Sequence, residues 1–201
     1  MSSRFAVDAP AETELVRSRI GDSVAAKQAL LESPMPERVA ALAEIVARSL
    51  RHGGKVLFFG NGGSAADATH LAAELVGRFR MERPPLPALS LTDNVASVSA
   101  IGNDYAYEEV FARQIAALGR PGDVAVALST SGTSANVVAG VSVARRLGLR
   151  TVAITGEGGG DAAEEAELSL CMPTQDTARA QECTMLVGHM VCELVEQALF
   201  A

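Results

Sequence analysis

"DVAVALSTSGTSANVVAGVSVARRLG", Asp123 to Gly148, carries the pattern that decides the fold. It opens with an unbroken apolar run, Val124 to Leu128, which stops abruptly. Five small hydroxyl residues then fall within six positions, Ser129, Thr130, Ser131, Thr133 and Ser134, around Gly132. A helical pattern follows. A short run with no polar alternation reads as a strand buried on both faces. A glycine-containing turn and a helix behind it make one strand–helix unit of a parallel sheet.

The same order recurs on both sides of that stretch. "KVLFFGNGGSAADATHLAAELVGRF" and "LPALSLTDNVASVSAIGND" precede it, and "RTVAITGEGGGDAAEEA" and "LSLCMPTQDTARAQECTMLVGHMVCELVEQALF" follow. Five apolar strands alternating with helices predict an α/β domain built on a parallel sheet with helices on both faces. Two helices come first. One runs from about Pro10 to Leu31, with Leu15, Ile20, Val24 and Leu30 as inward positions, and Pro10 suits a first turn. The other carries Val39, Leu42, Ile45, Val46 and Leu50 and ends at Gly53 and Gly54. These two helices are candidates to pack against a neighbouring subunit. Residues 1–53 are expected as a helical segment and 54–201 as the α/β core of a single domain.

Composition narrows the function. The chain has 201 residues, enough for a full core without disulfides. Net charge is −7 with no basic run, which argues against a nucleic-acid surface. Cys171, Cys183 and Cys192 lack zinc-like or redox-like spacing and read as free thiols in a reducing cytoplasm. "MSSRFAVDAPAE" has no apolar core of signal-peptide type, and no run of about 18 apolar residues predicts a membrane span.

Ligands of open parallel sheets bind beyond the carboxyl ends of the strands. "GNGGSA", Gly60 to Ala65, follows the first strand, and its glycines let backbone amides approach a ligand. Gly60, Gly62 and Ala65 fit a loose dinucleotide spacing. The acid expected about 20 residues on would be Glu82, which does not end a strand, so that reading is set aside. After the third strand, one hydroxyl would suffice to cap a helix. Five exceed that need, so the corner reads as a phosphate site, with helix-start amides as further donors. "GND", Gly102 to Asp104, reads as a turn.

Three histidines occur. His52 ends a helix, where a cation is favourable. His70 and Glu74 stand at i and i+4 on the helix expected over Ser64–Phe79, so they share a face. They suit either a surface pair or a metal-ligand or acid–base pair. His189 lies in the apolar stretch "MLVGHMVCELV", and Gln181 lies eight residues earlier. Eight residues of helix rise about 12 Å, so the two must lean together or serve different subunits.

Taken together, "FFGNGGSAADATHLAAELVGRF", "SAIGNDY", "GDVAVALSTSGTSANV", "TVAITGEGGG" and "DTARAQE…GHMVCELVE" resemble the phosphoheptose isomerases of the sugar isomerase (SIS) domain family. The resemblance implies a three-layer α/β sandwich around a five-stranded parallel sheet. It implies a cytoplasmic homotetramer with active sites at subunit interfaces. The reaction it implies interconverts sedoheptulose 7-phosphate and D-glycero-D-manno-heptose 7-phosphate, the first step toward nucleotide-activated heptoses. The family's Zn²⁺ ligands fall on His70, Glu74, Gln181 and His189. Its sugar-phosphate contacts fall on Asn61, Gly62, Gly63, Glu74, Asn103, Asp104, Ser129, Thr130, Ser131, Ser134 and Gln181. Glu74 and His189 are the expected base and acid for an enediol pathway. Thr133 replaces the commoner Asn of the phosphate loop. Cys183-Thr184 replaces a frequent His, which puts any auxiliary proton transfer there in doubt. The rival expectations are a non-catalytic SIS-domain protein, either a sugar-phosphate sensor or a replication-initiator-associating regulator, and an SIS isomerase acting on a shorter sugar.

Overall fold

The computed structural model describes residues 10–201; the N-terminal stretch read for a targeting signal lies largely outside them. Helices α1 (Pro10–Leu31) and α2 (Met35–Arg51) lead into β1 (Val56–Gly60) and α3 (Gly63–Val76). There follow β2 (Ala88–Ser90), α4 (Val95–Asp104), a single 3-10 turn (Tyr107–Glu109) and α5 (Val110–Leu118). The rest is β3 (Val124–Ser129), α6 (Ala135–Arg146), β4 (Arg150–Thr155), α7 (Gly160–Glu165), β5 (Leu168–Cys171) and α8 (Thr177–Phe200).

All five strands run parallel, in the order β2-β1-β3-β4-β5. The expected strands are all present, and each is followed by a helix. Alternation along each strand divides the core in two. Val56, Phe58, Val126, Leu128 and Ile154 face α2, α3 and α8. Leu57, Phe59, Ala125, Ala127 and Ala153 face α5, α6 and α7. The small residues on the second face let that helix layer lie close, as expected of an alanine-rich parallel sheet. Helix α8 has the length and hydropathy of a membrane span, but it packs on α2 and α3 as a core helix. Cys183 and Cys192 are buried in it, and burial pushes the Cys192 thiol up to about 12. Both are free, as is Cys171.

Three expectations need correction. Leu15, Ile20 and Val24 do not face inward: they are 53%, 60% and 62% exposed, and only Leu30 of that set is buried. Helix α1 lies outside the sandwich and meets α8 and α2 with Ala26 and Leu30, near its C-terminal end. Its apolar stripe has no partner among the described residues. "GND" is not a turn; Gly102–Asp104 form the last turn of α4, whose N-cap Asn94 accepts from Ser97 N at 3.1 Å. The helix expected to Phe79 ends at Val76.

That early stop has an identifiable cause. Gly77 ends α3, and the chain turns back. Arg83 then donates to the carbonyls of Glu74, Leu75 and Gly77 at 2.8, 2.8 and 3.1 Å, satisfying acceptors that a helix end leaves open. Its Nε donates to Glu196 of α8 at 3.0 Å, and both side chains are 1% exposed. Glu196 also accepts from the backbone amides of Phe79, Arg80 and Met81. Burial pushes the Glu196 carboxyl up, but these amides and the Arg83 guanidinium outweigh it and hold it below the usual glutamate value. A carboxyl with a lowered pKa contributes stability above its unfolded value, lost as pH falls through the folded one. Glu196→Gln is therefore expected to cost about 3–5 kcal/mol at neutral pH. Urea unfolding across a pH series should show that gap closing as pH drops below the ordinary glutamate range.

Candidate functional site

The strand order reverses between β1 and β3, because the chain leaves β1 toward β2 and leaves β3 toward β4. A crevice at such a reversal is where α/β sheets take ligands. The two corners singled out in the sequence stand on its two sides, after β1 and after β3.

On the β3 side, Ser129 ends the strand and its hydroxyl accepts from Gly132 N at 3.2 Å. Its oxygen also lies 3.5 Å from those of Ser131 and Ser134. Ser134 occupies the N-cap of α6, yet its hydroxyl makes no cap hydrogen bond. Capping therefore does not account for the hydroxyl cluster, which stays grouped at the start of a 12-residue helix. Gly132 O accepts from Ala162 N at 2.8 Å, fixing the loop against the turn after β4.

On the β1 side, Gly62 caps α3 without a side-chain bond. At Gly63 an added Cβ would run into the end of the Gln181 side chain, which would have to move aside. The lack of a side chain lets the Gln181 amide lie over the start of α3. Asn61 turns the other way. Its amide and that of Asn136, in the first turn of α6, exchange hydrogen bonds at 2.8 and 2.9 Å. Tyr107 OH donates to the same Asn61 oxygen at 3.1 Å. The Asn61 side chain is thus engaged, and the backbone of Asn61–Gly63 is what this corner offers a ligand. Tyr107 brings the end of α4 to the rim, where Asn103 donates to Asp104 at 2.8 Å and both are exposed. Asn136 is 3% exposed and was not singled out in the sequence. Its only signal was an amide inside an otherwise apolar helix start.

His70 and Glu74 stand one turn apart on α3, with His70 Nε2 3.0 Å from Glu74 Oε1. His189 of α8 brings its Nε2 to 3.3 Å from that of His70. This approach depends on Gly188, where an added Cβ would run into the Leu71 side chain. The three donor atoms lie within 4.8 Å of one another. Two imidazole nitrogens and a carboxylate oxygen converging so closely fit a divalent cation, and zinc accepts this donor set. Gln181, eight residues before His189, lines an open cavity together with His189 and Asp67. Cys183 and Thr184 point into the core, so neither supplies a proton carrier where the family often has His.

Asp67 is a residue that sequence reasoning missed. It stands three positions before His70, on the same stripe of α3. Its Oδ2 is buried with no hydrogen-bond partner among the described residues. Burial raises its carboxyl above the usual aspartate value, against the pull of nearby His70. Glu82, weighed for a nucleotide ribose, sits outside any strand with its side chain 92% exposed.

Comparison with known proteins gives the family. The SIS domain family model matches residues 21–156. A phosphoheptose isomerase of Roseiflexus sp. (strain RS-1) is 50% identical over 188 residues, 94% of this chain and 95% of that one. Two solved phosphoheptose isomerases, each covering 92% of this chain and 98% of their own, superpose closely. That of Neisseria gonorrhoeae is 40% identical with a TM-score of 0.86. That of Francisella tularensis is 35% identical with a TM-score of 0.89.

Removing one partner of the buried amide pair leaves the other unsatisfied. Asn136→Ala is expected to lower the unfolding free energy by about 1–3 kcal/mol, read by chemical denaturation. An unchanged midpoint would mean that the two corners are held together by other contacts.

Proposed function

The chain belongs to the SIS domain family, among its phosphoheptose isomerases, and we propose that Glu74 and His189 perform its aldose–ketose isomerisation as base and acid. The reaction interconverts sedoheptulose 7-phosphate and D-glycero-D-manno-heptose 7-phosphate, the entry to nucleotide-activated heptoses. The observation that carries the residue assignment is the convergence of His70, Glu74 and His189 at a distance from the hydroxyl corner. Seven residues of α3 separate Gly63 from His70, a rise of about 10 Å. An extended heptose phosphate is of that length. Ser129, Thr130, Ser131 and Ser134 would hold the 7-phosphate with the first amides of α6. The backbone of Asn61–Gly63, with Asn103 and Asp104 at the rim, would meet the sugar hydroxyls. Binding energy from the remote phosphate then serves to orient the reacting carbons.

The chemistry moves one proton between neighbouring carbons. Glu74 takes a proton from C1 of the open-chain ketose while His189 protonates the C2 oxygen, giving the cis-enediol. His189 then takes the O1 proton while Glu74 returns a proton to C2, which yields the aldose and restores both groups. Glu74 Oε1 faces His70, so Oε2 is the oxygen that meets carbon. His70, Glu74, Gln181 and His189 would hold Zn²⁺, and a bound zinc ion would polarise the carbonyl and stabilise the developing enediolate.

The reading extends to assembly and place. The homotetramer with interface active sites draws support from two exposed features. Leu15, Val16, Ile20, Val24 and Leu31 stand along α1 at 53–66% exposure. The His70 side chain is 50% exposed on the single chain. We assign the enzyme to the cytoplasm, where its phosphorylated substrate would be made.

Turnover followed by NMR tests the assignment. Aldoheptose 7-phosphate should form from sedoheptulose 7-phosphate, fall on chelation and return with zinc. Glu74→Gln should abolish turnover while a phosphate ester still binds. Near-normal turnover in that variant would remove Glu74 as the base. Light scattering coupled to gel filtration should give four times the chain mass of 20.8 kDa; a monomer would end the assembly reading.

A further inference from the structure

We propose that Phe79 is a positioning residue for the acid–base pair, carried on a loop that the buried Arg83–Glu196 ion pair locks between α3 and α8. The inference rests on the assignment of Glu74 and His189 above. The loop starts at Gly77, three residues after Glu74, and folds back over α8. Its amides at Phe79, Arg80 and Met81 donate to the Glu196 carboxylate at 2.8, 2.8 and 2.9 Å. Arg83 closes the loop on the same carboxylate and on the carbonyl of Glu74 itself, at 2.8 Å.

A buried ion pair is weak evidence for stability, since apolar residues of similar volume often replace one without loss. Its particular capacity is to fix geometry, because every oxygen and nitrogen must meet its partner. Here one guanidinium ties the backbone of the proposed base to a carboxylate two turns beyond the proposed acid on α8. The loop that results presents the Phe79 ring to His189, with centroids 5.2 Å apart and planes 24° from parallel. The Arg80 guanidinium lies 5.8 Å from the Phe79 centroid, and Glu193 holds it at 3.0 Å. His189 also meets the His70 ring at 5.2 Å and 57°. An imidazole in contact with two rings has less freedom to rotate than one in solvent. The orientation left to it aims Nε2 at His70 Nε2, 3.3 Å away. Phe79 stacks on His189, so its influence should fall on the chemical step and on the metal ligands.

The test is Phe79→Leu, which keeps an apolar side chain and leaves the loop's backbone donors intact. Three quantities are read: kcat, KM for sedoheptulose 7-phosphate, and the zinc affinity of the metal-free protein by competition with a chromogenic chelator. The expected result is kcat lower by about tenfold or more, zinc affinity weaker by about tenfold, and KM within about twofold. Phe79→Tyr, which restores the ring, should recover all three. The proposal is overturned if Phe79→Leu leaves kcat and zinc affinity within about twofold of the unchanged protein, or if KM alone moves. His189→Gln, measured alongside, separates the two levels. Retained turnover there would sink the acid–base assignment, whereas Phe79→Leu with kcat and zinc affinity both unchanged would sink the positioning role alone.

Discussion

The reversal of strand order between β1 and β3 is the constraint on which the rest depends. Two parallel strands lie side by side while their following helices depart to opposite faces. No helix can then cover the space above their ends. The backbone groups there must find partners within the loops or in a ligand. In this chain the gap is bridged by a reciprocal pair of amides, Asn61 and Asn136, with Tyr107 closing over one of them. What remains open is the glycine backbone on one side and the uncapped hydroxyl cluster on the other.

The second half of the site is built by helix approach rather than by the sheet. Helix α3 carries the direction of the site away from the crevice, and α8 meets it at Gly188 against Leu71. That close contact sets His189 beside His70. Packing alone fixes distance poorly for side chains that keep rotational freedom. The charged pair of Arg83 and Glu196 adds the missing constraint, because a carboxylate removed from water tolerates few arrangements of its donors. The same guanidinium terminates α3, so one residue explains both a helix boundary and the seating of Glu74.

Much of the fold was legible in the sequence. Apolar strands such as Val124–Leu128, punctuated by glycine and hydroxyl corners, leave little but a parallel sheet between helices. His70 and Glu74 were legible as a pair because four residues of helix bring side chains to one face. His189 stood out as a polar exception, but its partner was not deducible from spacing. Its contact with His70 spans 119 residues. Asn136, Phe79, Arg83 and Glu196 were missed for the same reason, since Arg83 and Glu196 are 113 residues apart. Asp67 was overlooked although it shares the stripe of His70. The outward-facing stripe of α1 was misread as inward. An apolar helical face signals burial against something, and periodicity does not say whether that partner lies within the chain. The expected role of Gln181 and the expected assembly into four subunits came from family resemblance and not from the residues.

The central claim is that a side chain moves a proton between C1 and C2 of the sugar through an enediol. Running the isomerisation in deuterium oxide, with the product examined by NMR, tests it most directly. A carboxylate base that exchanges its proton with solvent between the two transfers predicts deuterium at C2 of the aldoheptose phosphate formed in a single turnover. A product that carries only the hydrogen originally on C1, with none from solvent, would contradict transfer through a carboxylate that exchanges with solvent.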